Sequence, residues 1–187
     1  MKRFLTTIVG IYCFIFFTEA QTKISFFEEH IDFSLENNYF TINGIFSFTN
    51  KNKTPQTQQI IFPFANETNS IDSIRIINLN TLSNLDFIKL KSSVLFKITV
   101  PPNDTVDLNI FYRQKKSTTN KYIITSTQSW GKPLNKAVYS LSTEKDLKIK
   151  SFTYQPDTIK TINDKKLYLW HKTEFMPIKD FEIKLND

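Results

Sequence analysis

Apolar and polar side chains alternate along most of the chain from residue 31 onward, and this two-residue period constrains the fold more than any other feature. In the clearest stretch, residues 39–50, alternate positions are apolar and the positions between them are mostly polar. The apolar set is Phe40, Ile42, Phe46 and Phe48, and the other set is Tyr39, Thr41, Ser47 and Thr49. Successive side chains of a β-strand point to opposite faces, so the pattern predicts strands with one buried face. No long stretch has the period of an amphipathic helix.

The dipeptide Asn43-Gly44 in the middle of this stretch is a common two-residue hairpin turn. Folding there would place Phe40 opposite Ser47 and would mix the two faces. A single strand over residues 39–50 keeps every Phe on one face, and we therefore predict a continuous strand. Gly44 is then expected to mark a bulge or a close backbone contact.

The same period continues toward the C-terminal end, with turn residues between the alternating segments. The clearest hairpin is predicted at Pro101-Pro102-Asn103-Asp104, between arms at 94–100 and 106–112. Further strands are predicted at 60–64, 71–77, 87–90, 122–127, 137–141, 147–154, 167–172 and 181–185, and loops at 50–58, 115–121 and 156–164. About ten short strands separated by turn signals are typical of a sandwich or barrel. We predict one all-β domain over residues 21–187, an antiparallel, immunoglobulin-like β-sandwich.

Residues 1–20 have the organisation of a secretory signal peptide. Met1-Lys2-Arg3 is basic, an apolar run follows, and Thr18-Glu19-Ala20 ends in a small residue at the expected cleavage site. The apolar run is shorter than the roughly 20 residues of a spanning helix, which argues against a membrane anchor. We expect cleavage before Gln21, export to the periplasm, cell surface or extracellular space, and no membrane-spanning segment after cleavage.

Cys13 is the single cysteine and lies inside this segment. A lipoprotein would use it, but the bulky Ile11-Tyr12 stand where a lipobox has small residues. A chain that starts at Gln21 has no cysteine, which excludes disulfides, thiolate metal sites and cysteine nucleophiles. Such a chain depends on its hydrophobic core, and a domain of this length can bury enough surface for that.

The net charge of the sequence is +6, and the lysines are spread along the chain, with one pair at Lys115-Lys116. After residue 20 the arginines are Arg75 and Arg113. Nucleic-acid-binding surfaces usually concentrate Lys and Arg on one face. We therefore predict a solvated basic surface and no nucleic-acid partner, with attraction to an anionic envelope surface or acidic glycan as the alternative.

Motifs for metal binding or nucleophilic catalysis are missing from the sequence. The two histidines, His30 and His171, lie far apart, whereas zinc sites use three or four ligands at short spacing. The glycines after residue 20, Gly44 and Gly131, form neither a nucleophile elbow nor a phosphate-binding loop. We predict no metal ligand and no cofactor.

Paired carboxylates, which glycosidases use, occur at Glu28-Glu29 and at Asp104 with Asp107. Glu28-Glu29 precede the first confident strand, and Asp104 fills a turn, a role that Asp has for backbone reasons. Surface positions are therefore predicted for these side chains, and no residue is predicted to be catalytic.

Aromatic residues make up 14% of the sequence, and most Phe residues occupy apolar strand positions, where they are expected in the core. Trp130 differs because it lies in an irregular link beside Gly131 and Pro133. Trp170 shares a strand face with Tyr168. If exposed together, Trp130, Tyr168 and Trp170 could stack on a sugar ring or hold an apolar ligand. The alternative is that each Trp fills one end of the sandwich.

Three stretches carry a family resemblance. They are residues 122–139 with Trp130-Gly131-Lys132-Pro133-Leu134, the strand 39–50 followed by Ile61-Phe62-Pro63-Phe64, and the turn Pro101-Pro102-Asn103-Asp104 leading to Phe111-Tyr112. Together they cover most of the chain after residue 20, and they resemble uncharacterised secreted bacterial β-sandwich proteins. The resemblance implies a sandwich fold and an exported location, and it implies no activity.

The sequence therefore predicts a non-catalytic exported envelope protein that acts as a binding or structural and assembly module. Its partner would be another envelope protein or a glycan, bound at a strand edge or at the loops near Trp130. One alternative is a β-sandwich that binds a glycan or a small apolar ligand near Trp130, Tyr168 and Trp170. A second alternative is an envelope hydrolase with dispersed carboxylates, which would need a deep pocket where acidic side chains converge.

Overall fold

The computed structural model describes residues 24–186, and within this range it contains fourteen β-strands and two short 3-10 helices. The strands are β1 (Ser25–Glu36), β2 (Tyr39–Asn50), β3 (Gln56–Pro63), β4 (Ile71–Asn78), β5 (Ser83–Asn84), β6 (Phe87–Lys89), β7 (Ser93–Val100), β8 (Asp104–Lys115), β9 (Thr119–Tyr122), β10 (Leu134–Glu144), β11 (Ile149–Phe152), β12 (Thr158–Ile162), β13 (Lys165–Phe175) and β14 (Phe181–Leu185). The 3-10 helices span Thr68–Ser70 and Thr125–Trp130. None of the helices within residues 24–186 has the length and apolarity that a membrane span requires. The predicted signal peptide and Cys13 lie outside the described residues.

Eight strands form one large sheet in the order β12-β13-β10-β1-β2-β8-β4-β5. Two three-stranded sheets have the orders β11-β14-β9 and β3-β7-β6. Neighbouring strands run antiparallel except β1 and β10, which are parallel, with Glu28 opposite Lys136 and Leu35 opposite Thr143. This pair is a difference from the predicted arrangement, and it is possible because the two strands are connected by a long crossover rather than a tight turn.

Both small sheets pack on the same face of the large sheet. Phe33 of β1 stacks on Phe181 of β14 with ring centroids 5.0 Å apart, and Phe46 of β2 meets Phe62 of β3 edge to face at 5.3 Å. Phe33 lies opposite Ile42, which shares its strand face with Phe46. The core therefore lies between one eight-stranded layer and a second layer made of two sheets, which confirms the predicted all-β sandwich.

β2 is continuous over Tyr39–Asn50 as predicted, without a turn at Asn43-Gly44. Its even-numbered side chains are buried, and its odd-numbered side chains are partly or fully exposed. A Cβ on Gly44 would lie only 2.6 Å from Cε2 of Phe46. Gly44 therefore marks a close contact, because a residue without a side chain leaves room for the Phe46 ring.

The predicted hairpin around residues 101–104 is wrong. A turn connects β7 to β8, but β7 pairs with β3 and β6 in a small sheet, whereas β8 pairs with β2 and β4 in the large sheet. The chain crosses between the layers here, and the apolar faces of the two strands turn to the core from opposite sides. Both arrangements bury alternate residues, so the period alone does not distinguish them.

Further segments differ from the sequence-based predictions, and β9 occupies the end of the loop predicted at 115–121. Residues 125–127, predicted as the end of a strand, belong to the 3-10 helix Thr125–Trp130, and β12 occupies a predicted loop. Every residue of β12 is exposed, so this strand lacks the apolar alternation that marks the others. β1 begins at Ser25, so that Glu28 and Glu29 lie within a strand instead of before it.

Candidate functional site

A β-bulge near the start of β1 changes which side chains face the core. Phe26 lies opposite Phe48 of β2, but the pairing register shifts before Glu28, so that Phe27 is the extra residue. Side chains face inward at even positions before the bulge and at odd positions after it. As a consequence, Phe26 and Glu29 are both buried on the same side of the sheet.

Glu29 is a buried carboxyl group, with 4% of its surface exposed. Oη of Tyr139 on β10 donates a hydrogen bond to Oε1 of Glu29, and Oε2 accepts none from any residue in the range 24–186. Burial raises the pKa of Glu29 to about 7, and the hydrogen bond from Tyr139 opposes part of that shift. Glu29 therefore changes its charge near neutral pH.

Two tyrosines flank Glu29, namely Tyr139 and Tyr122 at the end of β9. Burial raises the pKa of both phenols well above the usual value, and the negative charge of Glu29 raises it further, so both hydroxyls stay neutral at physiological pH. Within the described part of the chain Oη of Tyr122 makes no hydrogen bond, but the hydroxyl that is both fully buried and unpartnered is Oη of Tyr112. Oη of Tyr122 and Oε2 of Glu29 therefore both have unused hydrogen-bonding capacity.

A cavity of 240 Å³ lies beside these groups, between the large sheet, β3 and the segment that follows β9. The large sheet contributes Phe26, Glu29, Phe46 and Phe48, β3 contributes residues 58–63, and residues of the 122–130 segment form the remaining wall. Among the described residues that line the cavity, Glu29 is the one charged side chain. Aromatic walls with a few polar groups are typical of sites for small molecules.

The 3-10 helix that forms one wall is anchored to the segment before β14. Oδ1 of Asp180 accepts hydrogen bonds from the backbone N–H and the hydroxyl of Thr125, at 3.2 and 2.6 Å. Nε2 of Gln128 donates to the carbonyl of Pro177 at 2.7 Å. These bonds fix the helix at both its first and its second turn, and so fix the wall of the cavity.

Trp130, a residue predicted to bind a ligand, ends this helix and lines the cavity. Gly131 follows with a φ of 69°, in the left-handed region that favours glycine. The half-buried Trp130 ring packs on Phe26 and Phe48, with centroids 5.9 and 5.6 Å away. One edge of the cavity is therefore a cluster of three aromatic rings.

Tyr168 and Trp170, the other predicted ligand-binding residues, lie elsewhere in the core. Their ring centroids are 6.5 Å apart on β13, and both rings pack on Phe152 of β11. Trp170 is 1% exposed, and its Nε1 donates a hydrogen bond to the carbonyl of Tyr154 at 2.8 Å. The structure therefore does not bring the three predicted rings to one surface, because Tyr168 and Trp170 fill the interior.

The other candidates from the sequence lie away from the cavity. His30 and His171 are exposed, and residues 24–186 contain no group of three or more side chains that could hold a metal ion. Asp107 accepts a hydrogen bond from the Ser47 hydroxyl at 2.6 Å, and Asp104 accepts one from the following backbone N–H at 2.7 Å. These two carboxylates serve local structure at the surface of β8.

The predicted surface position of Glu29 is wrong, because the bulge turns its side chain into the core. A signal for this is present in the sequence. Apolar residues occupy even positions at Ile24 and Phe26, and odd positions from Ile31 through Phe33. This change of phase places a bulge in the interval that contains Glu29.

No known protein family and no curated protein matches the sequence. Several solved structures have a similar fold. A Legionella pneumophila protein described as a "putative nutrient binding protein" is 16% identical with a TM-score of 0.69, over 87% of this chain and 67% of that protein. The M1 zinc metallopeptidase of Deinococcus radiodurans is 8% identical with a TM-score of 0.52, over 88% of this chain and 43% of the peptidase. Yeast LTA4 hydrolase is 12% identical with a TM-score of 0.51, over 87% of this chain and 29% of the hydrolase.

At these identities the likeness shows the fold alone. The chain spans about two thirds of the Legionella protein and less than half of the peptidase and of the hydrolase. A bacterial protein with this sandwich is in line with the resemblance found in the sequence. The activities named for the two larger enzymes belong to those proteins.

Proposed function

We propose that the protein is an exported, non-catalytic binding module whose site is the cavity beside Glu29. The ligand is small and places an apolar body against the rings of Phe26, Phe48 and Trp130. The proposal rests on one observation, a cavity lined by aromatic rings and by two residues with unused hydrogen-bonding capacity, Glu29 at Oε2 and Tyr122 at Oη. A ligand that fills the cavity would satisfy both atoms.

Two further points support binding without catalysis. The nutrient-binding name of the Legionella protein, which has the same fold, is in line with a binding role. Catalysis by paired carboxylates would need a second acid near Glu29, and none lines the cavity among the described residues. A single carboxyl group among aromatic rings is suited to holding a ligand in one orientation.

Nuclear magnetic resonance tests the proposal through the two indole N–H signals. Trp130 lines the cavity and Trp170 lies in another part of the core, so the second signal is an internal control. Titration with toluene, benzyl alcohol and benzylamine, which share one ring, is expected to shift the Trp130 signal saturably and to leave the Trp170 signal in place. The absence of a saturable Trp130 shift with all three compounds would contradict the proposed function.

A pair of variants locates the binding site. Trp130→Ala removes part of the wall and is expected to weaken binding by about tenfold, because apolar contact area is lost. Isothermal titration calorimetry measures the affinities here, since this variant has no Trp130 indole signal. Ile88→Ala is the matched control, since Ile88 is 62% exposed on β6 and lies outside the cavity. Equal weakening in both variants, or none in Trp130→Ala, would contradict this location.

Export is part of the proposal and has its own test. Expression of the full sequence in a bacterium, followed by fractionation and N-terminal sequencing, is expected to give an envelope or secreted product that begins at Gln21. A cytosolic product that retains Met1 would contradict export.

A second candidate function is assembly with another envelope protein through β12. This strand ends the large sheet, pairs on one side with β13, and exposes Ile159 by 58% and Ile162 by 54%. Edge strands of this kind can accept a strand from another chain. A photoreactive residue at Lys160 should then give a crosslinked product in intact cells that a control at Lys53 does not give, and equal products from both positions would count against this function.

A further inference from the structure

We infer that the cavity binds an organic ammonium ion, a protonated amine on a small apolar body, with the positive charge at the Glu29 carboxylate. The inference rests on the function proposed above, because it names the ligand class of the same site. It goes further by assigning a charge to the ligand, which an aromatic cavity alone does not specify.

The charges around the cavity favour a cation. Glu29 is the one charged residue in the described lining, and no Lys, Arg or His of residues 24–186 contributes to it. An anionic ligand would face a like charge in a place where water screens poorly, whereas a neutral ligand would leave the ionised carboxylate without a counter-charge. A cationic ligand avoids both the repulsion between like charges and the carboxylate without a counter-charge.

The cavity wall contains acceptors for the N–H groups of a ligand. The Tyr139 hydroxyl is directed to Oε1 of Glu29, so Oε2 is left to accept a hydrogen bond from a ligand. Oη of Tyr122 has free lone pairs at the same wall. An ammonium group has N–H donors that these two oxygen atoms can accept.

The aromatic walls suit the same ligand. A cation is attracted to the face of an aromatic ring, and the attraction increases when water is excluded. Phe26, Phe48 and Trp130 provide such rings in the cavity that Glu29 also lines. The apolar part of an amine gains from contact with the same rings, so both parts of the ligand have a place in the cavity.

Ordered water is the other way to satisfy these atoms. A polar cavity of this size has room for several water molecules, which could bond to Glu29 and Tyr122. Water would give the cavity no preference between an amine and an alcohol of the same shape. The comparison of such a pair therefore separates a cation site from a hydrated cavity.

Benzylamine, benzyl alcohol and toluene make the comparison, each titrated at pH 8 with the Trp130 indole signal as the readout. Benzylamine is expected to bind about tenfold more tightly than benzyl alcohol, because only the amine pairs with a charged carboxylate. The Glu29→Gln variant keeps the size of the side chain and an acceptor for Tyr139 but has no charge. It should bind benzylamine no more tightly than benzyl alcohol.

A pH series on the unsubstituted protein is a second measurement, which does not depend on the folding of a variant. Benzylamine affinity should rise by about tenfold from pH 6 to pH 8 as Glu29 ionises, while benzyl alcohol affinity stays constant. The hydroxyls of Tyr122 and Tyr139 face Glu29 and remain neutral in this range. The neighbouring charged or titratable groups are Glu28, His30 and Lys136, and His30→Gln controls for the histidine, a residue type that titrates in this range.

The outcomes are distinguishable. Benzyl alcohol that binds as tightly as benzylamine at pH 8 would overturn the ammonium inference and leave the proposed function intact. A preference for benzylamine that survives in Glu29→Gln, or that does not change between pH 6 and pH 8, would overturn the role of Glu29. The absence of binding by all three compounds would remove both proposals.

Discussion

Glu29 occupies a position where the fold has few means to stabilise a charge. Its carboxyl group is buried, receives one hydrogen bond from Tyr139, and has no salt-bridge partner within residues 24–186. Folding therefore removes an ionisable group from water with incomplete compensation, and the folded protein favours the protonated form. Stability then depends on pH in the direction opposite to that of a salt-bridged acid.

Glu29→Gln should stabilise the protein at high pH. The pKa of Glu29 is about 7 in the folded protein against an ordinary value of 4.5, so the folded state binds the proton more tightly and loses stability as the pH rises between these values. The variant lacks this loss. Its free energy of unfolding, relative to the unsubstituted protein, should increase by about 3 kcal/mol from pH 4.5 to pH 8, as measured by urea unfolding.

Glu28→Gln is the matched control for this prediction. It removes the same charge one residue earlier on β1, from a side chain outside the cavity. We expect it not to reproduce the pH-dependent gain. If both variants gave the same pH profile, the burial of Glu29 would not be the cause.

Gly44 is constrained by the aromatic ring that lies over it. A Cβ at this position would approach Cε2 and Cζ of Phe46 to 2.6 and 2.8 Å, and that ring is held by contacts with Phe26 and Phe62. Gly44→Ala should therefore lower the free energy of unfolding by about 1–3 kcal/mol in urea denaturation. In a Phe46→Leu background the same substitution should cost clearly less. An equal cost in both backgrounds would mean that another contact excludes the methyl group.

At the scale of the strand, a strand could be predicted from the sequence where it buries the side chains of one face. β2 could be predicted from the sequence because it buries one face along its whole length, so its apolar positions keep one phase. β12 could not, because its pairing with β13 is made by the backbone while every side chain is exposed. A strand that pairs through its backbone without burying side chains shows no alternation of apolar and polar residues in the sequence. The crossing from β7 to β8 could not be predicted, because two strands in different layers bury the same alternate positions as the two arms of a hairpin.

The candidate site could be predicted only in part, for a related reason. Trp130 stands out in the sequence because it lies in an irregular segment next to Gly131, and it lines the cavity. Glu29 does not stand out, because the bulge that turns it inward appears in the sequence only as a change of phase. The walls of the cavity also come from distant parts of the chain, and their meeting depends on the order of strands, which a local period does not contain.

Asn50 holds the corner where β2 ends beside the crossing from β7 to β8. Its Nδ2 donates to the carbonyls of Thr54, Val100 and Pro101 at 2.9, 3.1 and 2.9 Å, and the residue is buried. Asn50→Asp replaces the donor with an acceptor that faces these oxygens. The free energy of unfolding at neutral pH should fall by about 3 kcal/mol, as measured by urea denaturation.

Asn43→Asp on the same strand is the matched control for Asn50→Asp. Oδ1 of Asn43 accepts a hydrogen bond from Asn109 at 2.8 Å on the exposed face, and an aspartate keeps this interaction. Its effect on stability should stay within about 0.5 kcal/mol. A similar loss in both variants would mean that added negative charge, rather than the lost donor, destabilises the protein.

At the scale of the whole molecule, strands from the two halves of the chain are interleaved. β10 and β13 from the second half lie beside β1 in the large sheet, and β1 pairs directly with β10. Phe33 of β1 contacts the rings of Tyr122, Tyr139 and Phe181 at 5.4, 6.3 and 5.0 Å. Neither half therefore has a complete core without the other. Unfolding experiments can test the prediction that residues 21–187 form a single domain.

We expect residues 24–186 to unfold as one cooperative unit. Amide signals from β2 and from β13 should disappear at the same urea concentration, because the loss of either half exposes the aromatic core of the other. A fragment that ends at Ser117 and contains β1 to β8 should be unfolded by circular dichroism for the same reason. Signals of β13 that persist after those of β2 are lost, or a folded fragment, would mean that two units fold separately. The cavity takes its walls from both halves, so ligand binding would then depend on how those units dock.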